Sequence, residues 1–121
     1  MMRMKVSVCF MVSQHTKHYV LLDNDEVPSY DFDPNKTSYA VAQEMLFDYF
    51  GQSSTWFPIS QVGFFDELPV EGERVVSVVY FCLLDELLPV KTNASEWVDL
   101  DMTDKWINSL SNYILKGANL V

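Results

Sequence analysis

A chain of 121 residues, 49% of them hydrophobic and 14% aromatic, can bury the core of one domain spanning residues 1–121 and is too apolar for disorder. Its 17 acidic against 8 basic residues give a formal net charge of −9, which repels phosphate backbones and argues against a nucleic-acid partner. So acidic a surface serves solubility, or a basic protein partner.

Cys9 and Cys82 each sit within an apolar run, far from any metal-ligand spacing, and read as buried free thiols of a reducing, cytoplasmic setting. No run reaches the length of a membrane span, so no membrane partner is expected. The opening MMRMKVSVCFMV lacks a small-residue cleavage site and reads as a strand rather than a signal peptide.

In chain order, Met4 to Val12 alternates, with Val6, Val8, Phe10 and Val12 on one face; it predicts a strand with one well-buried side. Gln14 to Lys17 is a turn and His18 to Asp23 the returning strand of a hairpin. His15 and His18, beside that turn, read as surface residues rather than ligands or bases. The acid- and proline-rich Asn24 to Asn35 is a loop. Ser38 to Gly51 follows as an amphipathic helix, with Thr37 or Ser38 as N-cap and Gly51 as its stop. Gln52 to Thr55 is a polar linker. Trp56 to Phe65, broken by Pro58 and Gly63, predicts an edge or bulged strand, and Asp66 to Glu73 an acidic loop. Arg74 to Leu84 is apolar on both faces and predicts a strand covered on both sides. After Asp85 to Asn93 leaves the sheet, Glu96 to Leu100 is a short strand or turn. Met102 to Gly117 closes the chain as a helix begun by Thr103 and Asp104, its stripe formed by Trp106, Ile107, Leu110, Tyr113 and Ile114. Two helices and a strand covered on both faces predict an α/β (α+β) sandwich, with a mixed sheet between helices.

On the first helix, Val41, Ala42, Met45, Leu46, Tyr49 and Phe50 form the apolar face, and Glu44 and Asp48 stand one turn apart on the other. Such a pair can hold Mg²⁺ against a phosphate; it is also what an ordinary solvated helix face carries.

Gln61 to Leu84, QVGFFDELPVEGERVVSVVYFCLL, with Ala94-Ser95-Glu96-Trp97-Val98-Asp99-Leu100 and the closing helix, resembles the Nudix hydrolase superfamily, in its ADP-ribose-pyrophosphatase-like branch. The resemblance runs over nearly the whole length and implies the Nudix-like α/β/α sandwich. The family's box sets a glycine and a glutamate ahead of R-E-U-x-E-E-x-G-U, where U is a bulky aliphatic residue, and its glutamates bind Mg²⁺. With Glu44 on the glutamate after the arginine, the arginine is Gln43 and the metal-binding pair falls on Phe47 and Asp48. Allowing for slippage in the loop length, the opening glycine falls on Tyr30 and the first glutamate on Lys36, and the closing glycine is displaced to Gly51. Shifting the register to Gly51 puts Asp48 at a metal position and Glu44 at the arginine. No register restores the set, and each lost carboxylate removes charge from the cation's ligands.

The resemblance therefore implies a degenerate active site in a domain that binds a nucleotide-like ligand or acts as a protein-interaction or regulatory module. No cofactor is expected of it. Arg74, Phe47 and Glu44 are the candidate ligand-binding residues, in a pocket bounded by Asp25 to Asn35, the polar face of the helix and the far end of Arg74 to Leu84. Arg74 can meet a phosphate or pair with Glu71 or Glu73; Phe47 can stack on a base or ribose, or fill the vacated metal cavity. The alternative is a weak Mg²⁺-dependent hydrolase of nucleoside-diphosphate-linked compounds of ADP-ribose or NAD type. It would hold Mg²⁺ on Glu44 and Asp48, with Asp85 or Glu86 as a further ligand or base. A nucleotide-sugar ligand, a protein partner and a homodimer are all compatible with the resemblance.

Overall fold

The alternating strand at the N-terminus becomes the centre of the sheet. In the computed structural model, which describes residues 2–51, 57–70, 73–90 and 94–118, β1 is Met2–Gln14, β2 Lys17–Asp23, β3 Ser29–Asp31 and α1 Ser38–Phe50. There follow β4 (Ser60–Val70), β5 (Glu73–Leu84), β6 (Ser95–Asp99), a 3₁₀ turn at Leu100–Met102, and α2 (Lys105–Gly117). The strands form one mixed sheet in the order β4-β5-β1-β2-β6, with β3 beside β1. The linker Gln52–Thr55, Trp56 and Glu71 lie outside the described residues.

Both faces of β1 are buried, where the alternation predicted one. Val6, Val8, Phe10 and Val12 pack with Val41, Met45 and Tyr49 of α1. On the other face, Cys9 and Met11 are fully buried with Ile107, Leu110 and Ile114 of α2. Burial pushes both thiols, Cys9 and Cys82, up to about 12, so neither ionises near neutrality.

As predicted, β5 is an interior strand covered on both faces. It pairs parallel to β1 from Met2↔Arg74 to Val12↔Leu84, and antiparallel to β4 on its other side. Val78, Tyr80, Cys82 and Leu84 face α1, and Val79 faces α2. A parallel pair sheltered by helices on both sides needs apolar residues at every position, which is why the run does not alternate.

The caps match their sequence signals. Thr37 Oγ accepts the Ala40 N–H (3.1 Å), Asp104 accepts that of Ile107 (2.9 Å), and Gly51 ends α1 at φ 96°. β4 is the predicted edge strand, irregular between Gln61 and Gly63, where Gly63 takes φ 157°.

Three further features depart from expectation. The Asn24–Asn35 loop contains β3, whose residues pair with Lys5 to Ser7. The Asp66–Glu73 loop is mostly strand, because pairing of Asp66 and Glu67 with Val76 and Val75 outweighs local turn preference. Trp106 and Tyr113, assigned to the buried stripe, are 44% and 64% exposed; Ile107, Leu110, Ser111, Ile114 and Leu115 are the buried ones. Large amphipathic rings have lost the core side of the helix to compact aliphatic residues.

Candidate functional site on the first helix

The polar face of α1 is held by protein groups. Lys36, just before the helix, places its ammonium 2.7 Å from Glu44 Oε2, both side chains about half exposed (44% and 43%). Tyr30, on β3, donates its hydroxyl to Asp48 Oδ2 (2.7 Å). Tyr49 donates to Asp23 Oδ2 at the end of β2 (2.6 Å). Ser38, at the start of α1, shares a 2.6 Å hydrogen bond with the Tyr80 hydroxyl of β5.

Tyr30 and Lys36, which the resemblance sets against the box's first glycine and first glutamate, are thus the ones that engage Asp48 and Glu44. Among the described residues no three His, Cys, Asp or Glu side chains are grouped to hold a metal ion.

These contacts set the local electrostatics. The Lys36 ammonium is pushed up by its hydrogen bond to Glu44 and by that carboxylate's charge. Burial raises the Tyr30 and Tyr49 hydroxyls well above the usual phenol range, and the carboxylates they bond, Asp48 and Asp23, raise them further. A phenol whose folded pKa exceeds its unfolded value stabilises the fold fully below about pH 10 and loses that contribution as pH climbs through the folded value. Tyr49→Phe is expected to cost about 1.5–3 kcal/mol at neutral pH, because the half-buried Asp23 carboxylate loses its donor. The same variant should lose less stability than the parent between pH 9 and about 11, as followed by urea unfolding.

The other site candidates are scattered. Phe47 is 44% exposed on α1 and so does not plug a buried space. Arg74 Nη2 lies 2.7 Å from Asp66 Oδ2, an exposed pair, rather than against Glu73. Asp85 and Glu86 follow the end of β5, where Leu84 pairs Val12. Tyr30, which holds Asp48, instead pairs Val6, and among the described residues neither Asp85 nor Glu86 joins the helix acids in a group that could hold a metal ion. His18 Nδ1 is 2.7 Å from Ser13 Oγ within the β1–β2 hairpin.

A cavity of about 360 Å³ opens on the opposite face of the sheet, beneath α2. Lys5, Ser7, Ser77 and Val79 of β1 and β5 line it, with Trp106, Ile107 and Leu110 on the helix side. Asp25, Glu26 and Val27 complete it from the loop after β2, along with Asp66 and Asp104. It therefore shares the expected loop and strand β5 with the predicted pocket, but α2 closes it rather than the polar face of α1. No periodicity announces this cavity, since it is assembled from five separate stretches of chain. Tyr30 and Lys36 were legible only as sequence departures and Asp23 only as a strand end, none of them as a partner of the helix.

Among the described residues no helix is long and apolar enough to cross a membrane. No protein-family model matches the chain, and no curated protein matches it in sequence. Solved structures do match. A Caenorhabditis elegans Ap4A hydrolase superposes with TM-score 0.73 at 12% identity, covering 100% of both chains. The NUDIX domain of Shewanella oneidensis NrtR, complexed with ADP ribose, gives 0.70 at 12% identity, over 98% of this chain and 88% of that one. The C-terminal domain of mouse MUTYH, in complex with human PCNA, gives 0.68 at 13%, over 98% and 91%. The mixed sheet between α1 and α2, superposing along nearly its whole length on these proteins, is the Nudix fold.

Proposed function

We propose that this is a Nudix-fold domain whose hydrolytic site is degenerate and which works as a ligand-binding or protein-interaction module. The observation that carries this reading is the Lys36–Glu44 contact of 2.7 Å. An ammonium stands where, by the resemblance, the family's box carries a carboxylate, and it pairs with the acid beside it. Mg²⁺ demands near-octahedral oxygen ligands at about 2.0–2.1 Å and gives up its water reluctantly. Of the helix acids, Glu44 is spent on Lys36 and Asp48 on Tyr30. Structural neighbours bound to ADP ribose and to PCNA make both kinds of occupant reasonable for this fold. Phe47, exposed on the same helix, is the side chain we assign to contact with a partner, and we assign Arg74 to its surface pair with Asp66 rather than to a ligand.

Titration with Mg²⁺ or Mn²⁺, followed by thermal melting, tests the reading. The midpoint is expected to stay flat, and ADP-ribose and Ap4A to remain uncleaved in the same buffers. A saturable rise in melting temperature, with metal-dependent turnover that Glu44→Gln abolishes, would instead establish the weak Mg²⁺-dependent hydrolase.

A further inference from the structure

The cavity beneath α2 is unlike the face of α1 in both shape and charge. Its volume, about 360 Å³, lies in the range of small-molecule sites. Val79, Ile107 and Leu110 give it an apolar interior, and all three are buried. Ser7 stands among them, directly across the ladder from Val79 and only 5% exposed. Ser7 lines the cavity beside them.

The mouth is acidic. Of the lining carboxylates, Asp66 is paired with Arg74 and Asp104 caps α2, but Asp25 and Glu26 are exposed and lack an ion-pair partner among the described residues. Among the described residues the one lining cation, Lys5, already has an interaction of its own, and no arginine lines the space. A phosphate would meet net repulsion here. A cation would meet attraction from Asp25 and Glu26 and from the half-exposed indole of Trp106, whose ring quadrupole favours positive charge.

We propose that this cavity binds a small organic cation, its apolar body against Val79, Ile107 and Leu110 and its charged nitrogen at the mouth beside Asp25, Glu26 and Trp106. The inference rests on the reading of the domain as a binding module. It concerns the sheet face opposite Glu44, so metal titration and cation binding can fail separately.

The test is calorimetric titration of the full chain with 2-phenylethylammonium, with 2-phenylethanol as the uncharged isostere and ADP-ribose as the anionic comparison. The ammonium is expected to bind at least about fivefold more tightly than the alcohol, and more weakly as salt is raised. The double variant Asp25→Asn/Glu26→Gln should erase that advantage and leave alcohol binding unchanged. Asparagine is at home at the φ of 64° that Asp25 adopts, so the variant should melt like the parent. Trp106→Ala should weaken the ammonium more than the alcohol. Equal affinities for ammonium and alcohol, ammonium binding untouched by the double variant, preferential binding of ADP-ribose at this cavity, or no ammonium binding at millimolar concentration would each overturn the proposal.

Discussion

Phe10→Ala is expected to remove about 3–5 kcal/mol of stability, the upper range for an aromatic deletion in a core. Phe10 is fully buried on β1, its ring 5.1 Å from that of Phe50 in an edge-on arrangement and 5.8 Å from that of Tyr49. The strand beneath it cannot sink to close the hole, because β1 is paired with β5 along Met2 to Val12 and with β2 from Met11 to Gln14. The loss therefore includes the transfer of the ring and most of the cavity it leaves. A domain of this size holds about 5–15 kcal/mol in total, so the variant should melt some 10–20 °C lower. Urea unfolding should show the midpoint falling at unchanged slope. Phe47→Ala is the matched control: the same ring, 44% exposed on α1, should move stability by no more than about 0.5 kcal/mol. A comparable loss from both variants would mean that the core is not where the sheet register puts it.

That contrast shows which parts of the fold can be read from sequence. The alternation of Val6, Val8, Phe10 and Val12 and the unbroken apolar run to Leu84 are local patterns: the first marked β1 as a strand but gave it only one buried side, and the second marked β5 as an interior strand covered on both. β3 is three residues long, and its strand character comes from partners in β1, more than twenty residues earlier; no local pattern carries it. The stripe of α2 went wrong at Trp106 and Tyr113 because residue type, unlike burial, does not say which side of a broad amphipathic face the sheet will take. At α1 the box departures at Tyr30 and Lys36 were visible as missing residues. That they are also the groups that bond Asp48 and Glu44 depends on how the Asp31–Asn35 segment folds back on the helix. The α2 cavity was invisible for the same reason on a larger scale.

Replacing Lys36 and Phe47 by glutamate together should turn the polar face of α1 into a divalent-cation site. Residue 36 already reaches Glu44, and residue 47 adjoins Asp48 on the helix, so the double variant brings two new carboxylates to the two present ones. Without metal, four like charges gathered around one helix face should repel, and the variant should melt below the parent at low salt and recover part of the difference at high salt. With Mg²⁺ or Mn²⁺ the repulsion becomes a ligand set. Saturable stabilisation should appear, reaching about 2.7 kcal/mol when free metal is a hundredfold above its Kd. Adding Glu44→Gln to the double variant should abolish it, and the parent should show none. Lys36→Glu alone separates the two causes, since it removes the competing ammonium without replacing the aromatic ring. A folded double variant indifferent to metal would place the obstacle in the geometry of the helix and its flanking loop rather than in the two substituted side chains. Ammonium replacement would then no longer account for the state of this site.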